Sequence, residues 1–121
     1  RLNMKKILIV DDDARVRETT RFAFEGDFHV LEASSKEEAL EVYDKENPEI
    51  VLLDIELKGL LQGWEILIEI RKRGRGAVVL MVTGLEGERD NALTKEADGF
   101  FVKPCGPLPI REFLIRKGLL H

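Results

Sequence analysis

Asp11, Asp12 and Asp13 stand in a row directly behind the apolar stretch at residues 7–10. Like charges this close repel and resist joint ionisation. Three other polar residues sit in comparable places. Asp54 follows Val51, Leu52 and Leu53 with no break, Thr83 closes "AVVLMVT", and Lys103 ends "GFFVK" just before Pro104. A crowd of carboxylates needs a cation, and an all-oxygen donor set suits Mg²⁺ or Mn²⁺. A hydroxyl and an ammonium add donors for an anion. Metal, anion donors and a carboxylate nucleophile together fit phosphoryl transfer to an aspartate.

Each of these residues has a plainer reading. Asp13 reads as a helix N-cap. Asp11, Asp12 and Lys103 taken singly are solvated charges, and Thr83 taken singly is a turn residue. The case rests on their joint placement at the ends of four apolar runs.

Those runs define the elements that must position the site. Residues 5–10, 49–55 and 77–83 are continuous apolar stretches and read as buried strands. Residues 28–33 alternate and read as an outer strand, and 99–103 as the last one. Between them the period changes. Ala14, Val16, Thr20, Ala23 and Phe24 recur at helical spacing, with Gly26 as the stop. Ser35 and Glu38 have capping-box spacing ahead of Ala39, Leu40 and Tyr43, and Pro48 ends that helix. A third helix runs from about Trp64 to Arg73 and ends at Gly74. Residues 86–96 carry few apolar anchors and give the weakest helical pattern. Ile110, Phe113 and Leu114 mark a final helix beginning near Pro109. Five strand-then-helix units predict an α/β fold, a parallel sheet covered on both faces through right-handed crossovers. Ligands in such sheets bind at the carboxyl ends of the strands, where the polar residues fall.

Composition narrows the classes. The chain has 121 residues, 44% hydrophobic and 35% charged, which is one domain of globular mix. The net charge of −4 argues against direct nucleic-acid binding. No apolar run approaches the roughly 20 residues that span a bilayer, and no signal peptide is visible. The single Cys105 cannot form an internal disulfide, which fits a reducing, cytoplasmic setting. No histidine motif accompanies it, so it reads as a small structural residue.

"ILIVDDD", "VLLDI", "MVTG" and "GFFVKP" together resemble the receiver domain of two-component response regulators over essentially the whole chain. The resemblance implies a flavodoxin-like, doubly wound five-stranded sheet of order 2-1-3-4-5. The domain would span 4–121, with residues 1–3 a leader or remnant outside it. Asp54 resembles the phosphoacceptor. Asp11 and Asp12 look like the acidic pair that holds Mg²⁺ with Asp54 and the backbone carbonyl of Glu56. Thr83 looks like the switch hydroxyl and Lys103 like its ammonium partner, with a cis peptide at Lys103-Pro104. Phe100 matches the aromatic switch position. The phosphodonor would be a phosphohistidine on a sensor histidine kinase or phosphotransfer protein. An effector domain or output protein would read the result. Such a domain catalyses its own aspartyl phosphorylation and dephosphorylation but is mainly a signalling switch.

The chain departs from the family pattern in three places. Lys58 stands where a proline is usual, in a loop one residue longer than usual. The segment between Thr83 and Lys103 is about two residues short. Pro107 and Pro109 crowd the last helix. Two other functions compete: a degenerate receiver that only docks proteins, and a flavin- or nucleotide-binding domain. The second needs a Gly-rich phosphate loop after the first strand, where aspartates instead repel phosphate.

Overall fold

The three continuous apolar runs become the three inner strands of one parallel sheet. β1 (Lys6–Val10), β3 (Ile50–Leu53) and β4 (Val78–Thr83) lie side by side, flanked by β2 (His29–Ala33) and β5 (Gly99–Val102). The strand order is β2-β1-β3-β4-β5, and every pair is parallel. The computed structural model describes residues 4–121, so the expectation for residues 1–3 lies outside the described residues. Inner strands covered on both faces need no polar alternation, and all four residues of β3 are buried. β2 is an edge strand, as its alternating pattern predicts.

The pleat sends successive side chains to opposite faces. Leu8, Val10, Val51, Leu53, Val79 and Met81 point one way and form one core with Ala39, Tyr43, Ile66, Leu67 and Ile70. These belong to α2 (Lys36–Glu46) and α3 (Gln62–Arg73). Ile7, Ile9, Ile50, Leu52 and Leu80 point the other way, onto Phe24, Ile110 and Leu114. These belong to α1 (Ala14–Phe24) and α4 (Leu108–Arg116). The fold is therefore the doubly wound α/β sheet expected.

Helix ends follow local chemistry, with two refinements. Asp13 caps α1 by accepting the Arg15 N–H, and Ser35 caps α2 by accepting that of Glu38. The return half of the capping box is displaced: Glu38 accepts from the backbone N–H and hydroxyl of Ser34 instead of from Ser35. Gly26 is not the left-handed stop of α1. Its helix ends at Glu25 in right-handed geometry, whereas Gly74 closes α3 with φ +62° as expected. α4 starts at Leu108, one residue before Pro109.

The largest difference lies between β4 and β5. Residues 86–96 do not form an α-helix but two 3₁₀ turns, Glu86–Asp90 and Ala92–Glu96, with no buried residue in either. A segment with so few apolar anchors cannot support an α-helix by packing, and short 3₁₀ pieces span the gap with fewer residues. Little buried area ties it down, so local opening there costs far less than global unfolding. Amide exchange in residues 86–96 should run faster than in 78–83 by on the order of a hundredfold, as hydrogen-exchange mass spectrometry would measure.

Candidate functional site

Sheet register builds the site. Val10 pairs with Leu53 across β1 and β3, so the next residues, Asp11 and Asp54, leave the sheet side by side. The Asp54 N–H still bonds the Val10 carbonyl at 3.0 Å. Thr83 pairs with Val102 across β4 and β5, and the Lys103 N–H bonds the Thr83 carbonyl at 2.8 Å. Residues separated by more than ninety positions in sequence thus share one rim. Asp11, Asp12 and Asp54 each place a carboxylate oxygen within 4.8 Å of the others.

The charges are held in place by specific bonds. Lys103 Nζ donates to Asp11 Oδ2 at 2.5 Å and to Asp54 Oδ2 at 2.9 Å. Asp11 Oδ1 accepts the Asp13 N–H, and Asp12 Oδ2 accepts the Lys58 N–H at 2.9 Å. Asp54 Oδ1 accepts the Glu56 N–H at 3.3 Å. Asp11 and Asp54 are buried while Asp12 is exposed. Burial pushes the Asp11 carboxyl above its ordinary range, against the pull of Lys103 and the Asp13 N–H. Burial also acts to lower Lys103, but its bonds to Asp11 and Asp54 outweigh that and hold the ammonium above its usual value. Lys103 bonds two of the three clustered acids while Asp12 takes only a backbone N–H, so the three carboxylates outnumber the one ammonium among them.

The other residues singled out in the sequence lie as follows. Thr83 is fully buried, and its Oγ1 accepts the Leu85 N–H at 3.2 Å. Among the described residues its hydroxyl hydrogen has no acceptor. Phe100 lies on β5 opposite Met81, half-buried, with the Arg89 guanidinium 4.8 Å from its ring centre. It stands beside the site, outside the carboxylate cluster. Lys103-Pro104 is cis. Cys105 packs among apolar residues, and burial pushes its thiol up, which makes it a poor nucleophile. A groove of about 690 Å³ between α1 and the 104–107 loop opens onto Asp54 and Lys103. Val16, Phe22, Pro104 and Ile110 line it.

Two features escape a reading of the sequence. Gly63 opens α3 against the backbone of Asp54 and Ile55, and a Cβ there would collide with the Asp54 carbonyl and the Ile55 backbone. Its N–H bonds the Ile55 carbonyl at 2.8 Å. The sequence pattern begins this helix at about Trp64, so Gly63 falls in the preceding loop and carries no local signal. The second is Glu88, whose carboxylate accepts the Trp64 indole N–H at 2.7 Å across 24 residues of sequence.

Residues 7–114 match the family model described as the response regulator receiver domain. The chain belongs to that family. It is 38% identical over 106 residues to a probable transcriptional regulator ycf27 of Guillardia theta, covering 85% of this chain and 41% of that regulator. It is 34% identical over 103 residues to the chemotaxis protein CheY of Halobacterium salinarum, covering 83% of this chain and 85% of CheY. The chain spans less than half the length of the ycf27 regulators it matches. Among solved structures, the response regulator TrrA of Thermotoga maritima superposes with a TM-score of 0.85 at 33% identity. That match covers 97% of this chain and 100% of TrrA, which was crystallised with Mg²⁺ and beryllofluoride.

Two outcomes follow from this geometry. Gly63→Ala should destabilise the protein by about 1–3 kcal/mol, since the added methyl meets backbone and not a flexible side chain. Denaturant unfolding measures it. Asp11→Asn should have the opposite sign. Removing one buried charge from the crowd should raise metal-free stability by about 1 kcal/mol, seen as a higher melting temperature without divalent cations.

Proposed function

We propose that residues 4–121 form a single phosphorylatable receiver domain that accepts a phosphoryl group on Asp54 and thereby changes its affinity for partners. The observation that carries this reading is the bridge of Lys103 between Asp11 and Asp54, with Asp12 in the same cluster. A solvated surface acid needs no such arrangement, and a purely docking module gains nothing from burying it.

The donor set fits Mg²⁺, with Mn²⁺ an acceptable substitute. It is all oxygen, it is crowded, and a single lysine leaves it under-neutralised. Asp11, Asp12 and Asp54 would hold the ion together with the Glu56 carbonyl. The ion supplies neutralisation of the phosphoryl oxygens. TrrA, similar along its whole length, takes Mg²⁺ and beryllofluoride.

The chain's own residues supply the rest. An Asp54 carboxylate oxygen attacks phosphorus, the new O–P bond forms, and the P–N bond of a donor phosphohistidine breaks with its electron pair returning to the imidazole. Lys103 exchanges part of its bond to Asp54 for a phosphoryl oxygen. Thr83 donates its free hydroxyl hydrogen to another, a charge-assisted bond that draws the residue inward. Phe100, on the neighbouring strand, fills the space that Thr83 leaves. The apolar groove beside Asp54 gives a sensor histidine kinase or phosphotransfer protein a surface to approach. An effector domain or separate output protein reads the switched surface, and the setting is cytoplasmic. The named relatives include transcriptional regulators and a chemotaxis protein, so the output is left to the partner.

Incubation with a small acyl phosphate and Mg²⁺ should add a single, base-labile phosphoryl group, located on Asp54 by mass spectrometry. Asp54→Asn and Asp12→Asn should each abolish the label while leaving the fold intact by circular dichroism. Thr83→Ala should keep the label but lose the phosphorylation-dependent gain in partner affinity. Phosphate on another residue, or undiminished labelling of Asp12→Asn, would overturn the assignment.

A further inference from the structure

Glu88 joins two parts of the chain that flank the carboxylate cluster, the start of α3 and the turn after β4. Its Oε1 accepts the indole N–H of Trp64 at 2.7 Å and the Asn91 side-chain amide at 3.1 Å. Its backbone carbonyl accepts the Thr94 hydroxyl at 3.2 Å. Trp64 is almost fully buried and follows Gly63, which packs on the backbone of Asp54 and Ile55. On the other side, the Glu88 N–H bonds the Leu85 carbonyl at 3.0 Å, and the Leu85 N–H bonds Thr83 Oγ1. A continuous series of bonds thus runs from the phosphoacceptor loop through Trp64, Glu88 and Leu85 to Thr83. The adjacent Arg89 covers the Phe100 ring.

The 3₁₀ turns bury no residue fully; Leu93 packs against the core, and polar contacts of this kind supply further anchors. A buried indole N–H also needs a partner, and Glu88 is that partner among the described residues. If Thr83 moves toward a phosphoryl oxygen, the Leu85 N–H bonded to it is drawn along. The Leu85–Glu88 turn hangs on that N–H, so its bond to Trp64 is the contact such a movement would load.

We infer that Glu88 is a positioning residue: its bond to Trp64 holds the turn after Thr83 in the resting arrangement, and filling the phosphoryl site breaks that bond. The inference rests on the phosphoacceptor reading above. It makes Glu88 a brake on the switch, because any ligand of the active arrangement must first displace it.

Trp64 is the only tryptophan, so its emission reports the bond directly. Mg²⁺ with beryllofluoride is the probe, titrated into wild type, Glu88→Ala and Glu88→Gln. In wild type the emission should shift to the red when beryllofluoride is added over Mg²⁺ alone. Glu88→Ala should be red-shifted before addition, show little further change, and bind beryllofluoride roughly 3- to 10-fold more tightly, the worth of one released hydrogen bond. Tightness is followed by isothermal calorimetry, independently of fluorescence. Glu88→Gln keeps an acceptor oxygen and should restore wild-type behaviour. Unchanged or weaker binding in Glu88→Ala, with wild type binding normally, would overturn the role of Glu88 alone. Absence of binding in wild type would overturn the phosphoacceptor reading, and this inference with it.

Discussion

The ammonium of Lys103, lodged between two buried carboxylates, is the contact on which the arrangement depends. Two acids side by side at the end of a buried sheet are unstable neighbours: each raises the cost of ionising the other, and burial raises it further. A single flexible cation from the far edge of the sheet relieves this. It can do so only if β5 stands in register with β4, β4 with β3, and β3 with β1. The site therefore checks the sheet. A slip of one residue in any of these pairings would turn side chains to the opposite face and leave the acids without their partner. The same cation is a poor permanent answer, since one positive charge faces three negative ones. That deficit suits the site to a small hard cation and a phosphoryl group, which complete each other's charge.

Much of this was legible in the sequence, for a definite reason. Parallel strands buried on both faces must be continuously apolar, so the first polar residue after each run marks the rim. Asp11, Asp54 and Thr83 are found by that rule alone. Asp13 and Ser35 were legible as caps because capping chemistry is local. The segment at 86–96 was not, because what holds it is not local. No periodicity signals that Glu88 will meet Trp64, and a short carboxylate in a polar stretch looks like any solvated acid. Gly63 was hidden for the same reason: its constraint is a backbone 8 residues earlier in the chain, which contact alone reveals. The displaced capping box at Ser34 and Glu38 shows the lesser limit, that a motif can keep its spacing and shift its partner by one residue.

The β4–β5 connection, two 3₁₀ turns in place of an α-helix, is held differently from the elements that cover the sheet. A full helix packed on α3 would need substantial displacement of apolar area to respond to the site. Two 3₁₀ turns held by a few partly buried side chains and by hydrogen bonds would respond to a change in polar partners instead. Contacts of this strength lie in the same energy range as the bonds a phosphoryl group would make under the proposed function. The bond from Trp64 to Glu88 and the stacking of Arg89 on Phe100 are individually modest, and that modesty suits a reversible device.

The pleat of the sheet has one more consequence. Asp54 continues the alternation that sends Leu52 toward α1 and α4, whereas Thr83 continues the one that sends Val79 and Met81 toward α3 and the 3₁₀ turns. The acid and the hydroxyl belong to opposite sides of the molecule and meet only at its rim. The groove beside α1 and the 84–97 region lie on opposite sides of the sheet. The sheet acts as a partition between these two faces, and its rim is the one place from which a single event can be felt on both.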